Sequence, residues 1–104
     1  MFTVATTQRF EADASAIWSE VEIEELILAV AMNPHLGDLV PGTGGLRKLR
    51  WARPGMGKRG GARVISYAID PQGKVWLLTA YTKAALDNLS AAILAKSRKE
   101  LIDG

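Results

Sequence analysis

Cysteine is absent from this chain of 104 residues, so it has neither disulfides nor thiolate metal sites. That composition suits a reducing compartment. Histidine is nearly absent: His35 is the only one, in a turn between Pro34 and Gly37. Its plainest role is that of a surface turn residue. No His and carboxylate cluster has ligand spacing, so no metal is expected. The longest apolar run, Leu26 to Met32, is far too short to span a bilayer. From Met1 to Asp13 there is no apolar stretch of signal-peptide length. These absences point to a cytoplasmic protein with no membrane partner. Gly55 to Gly61 is rich in glycine but lacks the spacing of a phosphate-binding loop and the Ser or Thr after its lysine. No cofactor is expected.

Two further absences concern charge. From Phe10 to Asp38 there are seven acids (Glu11, Asp13, Glu20, Glu22, Glu24, Glu25, Asp38) and no Lys or Arg. From Arg47 to Arg63 there are seven bases (Arg47, Lys48, Arg50, Arg53, Lys58, Arg59, Arg63) and no acid. The net charge of +2 conceals this separation. Such a dense basic block repels itself and draws polyanions, RNA or DNA above all.

Hydrophobic residues make up 48% of the chain and charged residues 23%, the balance of a globular protein. Residues 1–104 are read as a single domain. Phe2 to Ala5 reads as a short strand, and Ala12 to Trp18 as a first helix. Ile23, Leu26, Ile27 and Val30 recur at helical spacing. Ser19 and Glu22 form a capping box at that helix's start, and Asn33-Pro34 ends it. A loop punctuated by Gly and Pro follows to Gly45. Leu46 to Ala52, Ala62 to Ile69 and Lys74 to Tyr81 read as strands. Asp70-Pro71-Gln72-Gly73 joins the last two as a type I turn, and Pro54 to Gly61 joins the first two as a mobile loop. Thr82 caps a final helix carrying Leu86, Leu89 and Ile93. The order β-α-α-β-β-β-α predicts an α+β domain, its helices packed on an antiparallel sheet.

Without a histidine pair, the candidates for chemistry are Lys and Arg. Lys48 and Arg50 alternate with Leu49 and Trp51 and so share a strand face. Arg63 lies on the next strand, and Lys83 follows the last. If these strands are neighbours, the four cations converge, arginine gripping phosphate with a fork and lysine as a point charge. The competing reading is a solvated strand face. Trp18, Trp51 and Trp76 read as core. Tyr67 and Tyr81 are either base-stacking platforms or ordinary sheet residues with hydroxyls at the rim.

The string itself carries more. Asn33-Pro34-His35-Leu36-Gly37-Asp38, Pro41-Gly42-Thr43-Gly44-Gly45-Leu46-Arg47-Lys48-Leu49-Arg50, Gly57-Lys58-Arg59-Gly60-Gly61-Ala62-Arg63-Val64-Ile65 and Leu77-Leu78-Thr79-Ala80-Tyr81-Thr82-Lys83 resemble the RelE/ParE toxin superfamily, its HigB-like branch most closely. The resemblance implies a toxin of a type II toxin–antitoxin module. Such a toxin is an endoribonuclease that cleaves mRNA in the ribosomal A site and is neutralised by a cognate HigA-like helix-turn-helix antitoxin. It implies attack of a ribose 2′-hydroxyl on the adjacent phosphate, with Lys48, Arg50, Arg63 and Lys83 as catalytic residues. Lys48 and Arg50 would orient the phosphate and assist deprotonation, Arg63 would stabilise the transition state, and Lys83 would serve the leaving oxygen. Arg47, Arg53, Lys58, Arg59, Tyr67 and Tyr81 would contact RNA. Close relatives carry two tyrosines after Arg-Val-Ile, whereas this chain has Ser66 then Tyr67. The lost ring suggests attenuated activity. The alternatives are a gyrase-binding toxin like ParE, or an attenuated homologue that only binds RNA or antitoxin.

Overall fold

The computed structural model describes residues 1–53 and 57–82, with side chains except at 53 and 57–60. Strand β1 (Thr3–Thr6) leads into helices α1 (Gln8–Ile17) and α2 (Glu20–Met32). Strands β2 (Asp38–Leu39), β3 (Leu46–Arg53), β4 (Gly57–Ala68) and β5 (Lys74–Thr82) follow. The expected final helix, with Lys83, lies outside the described residues.

Helix α1 starts four residues earlier than its apolar pattern suggested, because Thr7 is its N-cap. The Thr7 hydroxyl accepts from the Phe10 amide at 3.0 Å and donates to the Leu78 carbonyl at 2.7 Å. One side chain thus caps the helix and ties it to β5. The capping box at α2 forms as the sequence indicated, with Ser19 N–H donating to Glu22 at 2.8 Å and Glu22 N–H to Ser19 at 3.3 Å. Asn33 is the C-cap of α2, before a buried Pro34.

The five strands form one sheet in the order β1-β5-β4-β3-β2. The sheet is mixed, which corrects the antiparallel expectation: β1 runs parallel to β5, with Thr3 opposite Lys74 and Thr6 opposite Leu77. The two intervening helices make that possible, since a parallel pair needs a long crossover. Strand β4 begins at Gly57, so part of the stretch read as loop is paired strand, with Gly57 opposite Arg53. The β4–β5 turn is as expected. Gly73 N–H donates to Asp70 O at 2.9 Å, and Asp70 N–H to Lys74 O at 2.8 Å.

Alternation along the strands divides the sheet into two faces. One carries Leu49, Ala62, Val64, Val75 and Leu77, which bury Phe10, Ala14 and Trp18 of the α1 region and Leu26 and Val30 of α2. Full burial of a Phe or Leu of this kind contributes roughly 1.5–3 kcal/mol. Trp51 packs half-buried against this core, and the Trp18 indole donates to Ala52 O at 2.9 Å. Polar groups also tie α1 down. Asp13 accepts from the Thr79 hydroxyl at 2.6 Å and from the Ala80 amide at 3.3 Å, beside Arg9 at 3.7 Å. The other face has a smaller cluster of Leu46, Ile65, Leu78 and Tyr81, with Val40, Tyr67 and Trp76 at its margin.

Candidate phosphate-binding cavity

The face away from the helices holds the cations. In the β3–β4 ladder Arg50 is directly opposite Arg63, and Lys48 is opposite Ile65. Directly paired residues project to the same side, so Lys48, Arg50 and Arg63 share one face. All three line a single open cavity of about 660 Å³. The structure thus brings together three of the four cations that the sequence analysis singled out.

Arg63 is the least ordinary of them. It is only 7% exposed, and its Nη1 has no hydrogen-bond partner among the described residues. The ion pair formed within that set is Arg9–Asp13, far from this strand pair in sequence. A buried guanidinium nitrogen without a hydrogen-bond partner carries a desolvation cost, and placing a like charge directly opposite adds to it. Arg50 is exposed and Lys48 half-buried, so the three cations run from the rim of the cavity to its floor. Two guanidinium forks and an ammonium around one opening match the oxygens of a phosphodiester.

The opposite wall comes from residues 37–41. Gly37 has φ +91°, and a Cβ there would fall 2.7 Å from the Lys48 carbonyl oxygen. Only glycine lets the chain approach β3 so closely before turning into β2. Further along, the Thr43 hydroxyl donates to Val40 O at 2.6 Å and accepts from Leu46 N at 3.1 Å. This internal bonding holds the loop against the strand that carries Lys48.

Other candidates fall elsewhere. Arg47 alternates with Lys48 and points to the helix-bearing side. Its Nη1 donates to His35 O at 3.1 Å and Gly37 O at 3.0 Å. Arg47 is thus a staple for the cavity wall, bonded within its own chain on the side away from Lys48 and Arg50. Tyr81 is a sheet residue in the smaller cluster, 3% exposed, with its hydroxyl buried instead of at the rim. Tyr67 is half-buried at the margin of that cluster. Ser66 lies opposite Arg47, 2% exposed, on the helix-bearing side. A second tyrosine there would point away from the cavity, so Ser66 thins no part of its lining. The side chains of Arg53, Lys58 and Arg59, and the whole of Lys83, lie outside the description. His35 is exposed in its turn.

The sequence reading missed Asp38. It had been counted with the acidic half of the chain, yet β2 pairs it with Lys48 and it lines the cavity. The available signal was its place just after Gly37, the residue that brings the chain onto β3. Among the described residues, no three of His, Asp and Glu gather as a metal site, and no helix is long and apolar enough to cross a membrane.

The architecture is RelE-like in fold. Among solved structures, the chain resembles a doubly substituted E. coli RelE toxin in its free state, with a TM-score of 0.65 and 16% identity over 93% of this chain and 96% of that one. It also resembles the E. coli RelBE toxin–antitoxin complex, with a TM-score of 0.59 and 15% identity over 78% of this chain and 95% of that one. No protein-family model matches it.

Proposed function

We propose that this chain is the toxin of a type II toxin–antitoxin module, of the HigB-like branch, and that it cleaves mRNA in the ribosomal A site. The observation that carries this reading is Arg63: a buried guanidinium, unpartnered at Nη1 among the described residues, in one cavity with Lys48 and Arg50. A protein keeps such a group where an anion offsets its cost. The RelE-like fold supports the toxin class, and the RelBE complex supports an antitoxin partner. That partner is read as a HigA-like helix-turn-helix protein.

Arg50 and Arg63 hold the scissile phosphate. A ribose 2′-oxygen attacks phosphorus as the bond to the 5′-oxygen breaks, leaving a 2′,3′-cyclic phosphate and a 5′-hydroxyl. Charge grows on the phosphoryl oxygens during this step, and a fixed cation in a secluded site stabilises it strongly. Lys48 assists from its half-buried position beside them, and Lys83 is assigned the leaving oxygen on the strength of the resemblance. Orientation by the ribosome supplies part of the rate.

The test is cleavage of mRNA on programmed ribosomes. Arg63→Ala is expected to lower kcat by roughly 10²–10³-fold, as for loss of one charge-stabilising donor, while circular dichroism stays that of the folded chain. Intact messages with the unsubstituted protein, together with DNA breaks in cells producing it, would favour the gyrase-binding alternative instead.

A further inference from the structure

We infer that Asp38 is the proton acceptor for the attacking 2′-hydroxyl, a role the cations cannot fill well. The inference rests on the endoribonuclease reading and extends it. A lysine of ordinary pKa, about 10.4, is almost wholly protonated at neutral pH, and arginine more so; a carboxylate of ordinary pKa, about 3.9, is ionised. Lys48, Arg50 and Arg63 are therefore suited to hold phosphate and poorly suited to take a proton from a hydroxyl. His35 is exposed in the preceding turn and does not line the cavity. Asp38 does line it, directly across the β2–β3 ladder from Lys48.

The placement supports the chemistry. Asp38 is on β2, Lys48 and Arg50 are on β3, and Arg63 is on β4, so the carboxylate and the buried guanidinium stand two strands apart. With strands about 4.8 Å apart and an offset of two residues, about 7 Å, along them, that separation is roughly 12 Å. A phosphate gripped by the arginines then leaves room for its ribose on the Asp38 side. A carboxylate in a phosphate cavity weakens binding through repulsion, so its presence calls for a donor to accept from. The ribose 2′-hydroxyl is the donor that RNA has and DNA lacks. In the step, the 2′-O–H proton passes to the Asp38 carboxylate, the 2′-oxygen forms its bond to phosphorus, and the 5′-oxygen leaves and is protonated. Asp38 then returns its proton to solvent.

The experiment compares Asp38→Asn with the unsubstituted chain on programmed ribosomes, and measures binding separately with a message carrying 2′-deoxyribose at the scissile nucleotide. Asp38→Asn is expected to lower kcat by about 10²–10⁴-fold, the usual contribution of a general base. Binding of the deoxy message should be unchanged or tighter, because a repulsive charge is gone. Cleavage by Asp38→Asn within threefold of the original, or a parallel loss of binding, would overturn this assignment alone. Failure of the unsubstituted chain to cleave would overturn it together with the endoribonuclease reading.

Discussion

At the scale of single residues, Gly37 and Arg47 build what Arg63 uses. Neither touches the proposed phosphate position, yet one admits the chain to β3 and the other holds it there through the His35 and Gly37 carbonyls. Gly37→Ala places a methyl group against the Lys48 carbonyl in a backbone region that costs a non-glycine residue about 1–3 kcal/mol. The expected result is a fall in thermal midpoint of roughly 5 °C or more for a domain of this size, with weakened RNA binding as the cavity wall shifts. Differential scanning calorimetry and a binding titration on the same variant check both. The alternation Lys48-Leu49-Arg50-Trp51 made the cation face legible in the sequence, because a strand's period of two is local information. The burial of Arg63 was not legible. It depends on what flanks β4 in space, and an arginine in sequence gives no sign of being 7% exposed. Asp38 escaped for a related reason: counting charges by segment assigned it to the wrong neighbourhood.

At the scale of elements, the β4–β5 hairpin shows how a turn is held by one carboxylate. Asp70 accepts from the Lys74 and Gln72 amides at 2.9 Å, and from the Trp76 indole at 2.8 Å. These bonds, the Lys74 amide foremost and the Trp76 indole next, hold its pKa below the ordinary 3.8 against an opposing effect of desolvation. A carboxylate depressed on folding adds stability that is complete above its unfolded value and disappears as pH falls through the folded one. The stability advantage of the natural chain over Asp70→Asn should thus hold from pH 7 to pH 5 and shrink below about pH 3.8. Urea midpoints across that range check it. This hairpin was readable because Asp, Pro and Gly stand at the positions a type I turn favours. Strand β2 was not readable, being two residues long and dependent on Gly37 and Arg47 for its position. The glycines at 57, 60 and 61 signalled a loop, and pairing with β3 overrode that signal. The parallel union of β1 with β5 follows from how the helices return the chain, which no local pattern records.

At the scale of the whole molecule, most acids among the described residues sit on the helices, while Lys48, Arg50 and Arg63 gather at the cavity. The acids run mainly along α1 and α2, on one side of the sheet, and the cavity opens on the other. Negative charge on the helix side and positive charge on the cavity side orient an approaching polyanion. With about five phosphates contacted, log Kd for a single-stranded message should change with log salt at a slope of roughly 3–4 in magnitude. Titrations of a 2′-deoxy message at several potassium chloride concentrations check this, and a flat response would remove phosphate recognition from the account.

The pairing of Thr3 with Lys74 and Thr6 with Leu77 has a further consequence, for biosynthesis. Strand β1 has no β5 partner until about seventy further residues have been made, and Asp13 awaits Thr79 in the same way. The cavity-bearing hairpin of β3 and β4 is complete in sequence before either closure. A nascent chain therefore carries its cationic groove ahead of the β1–β5 pairing that completes the sheet beside it.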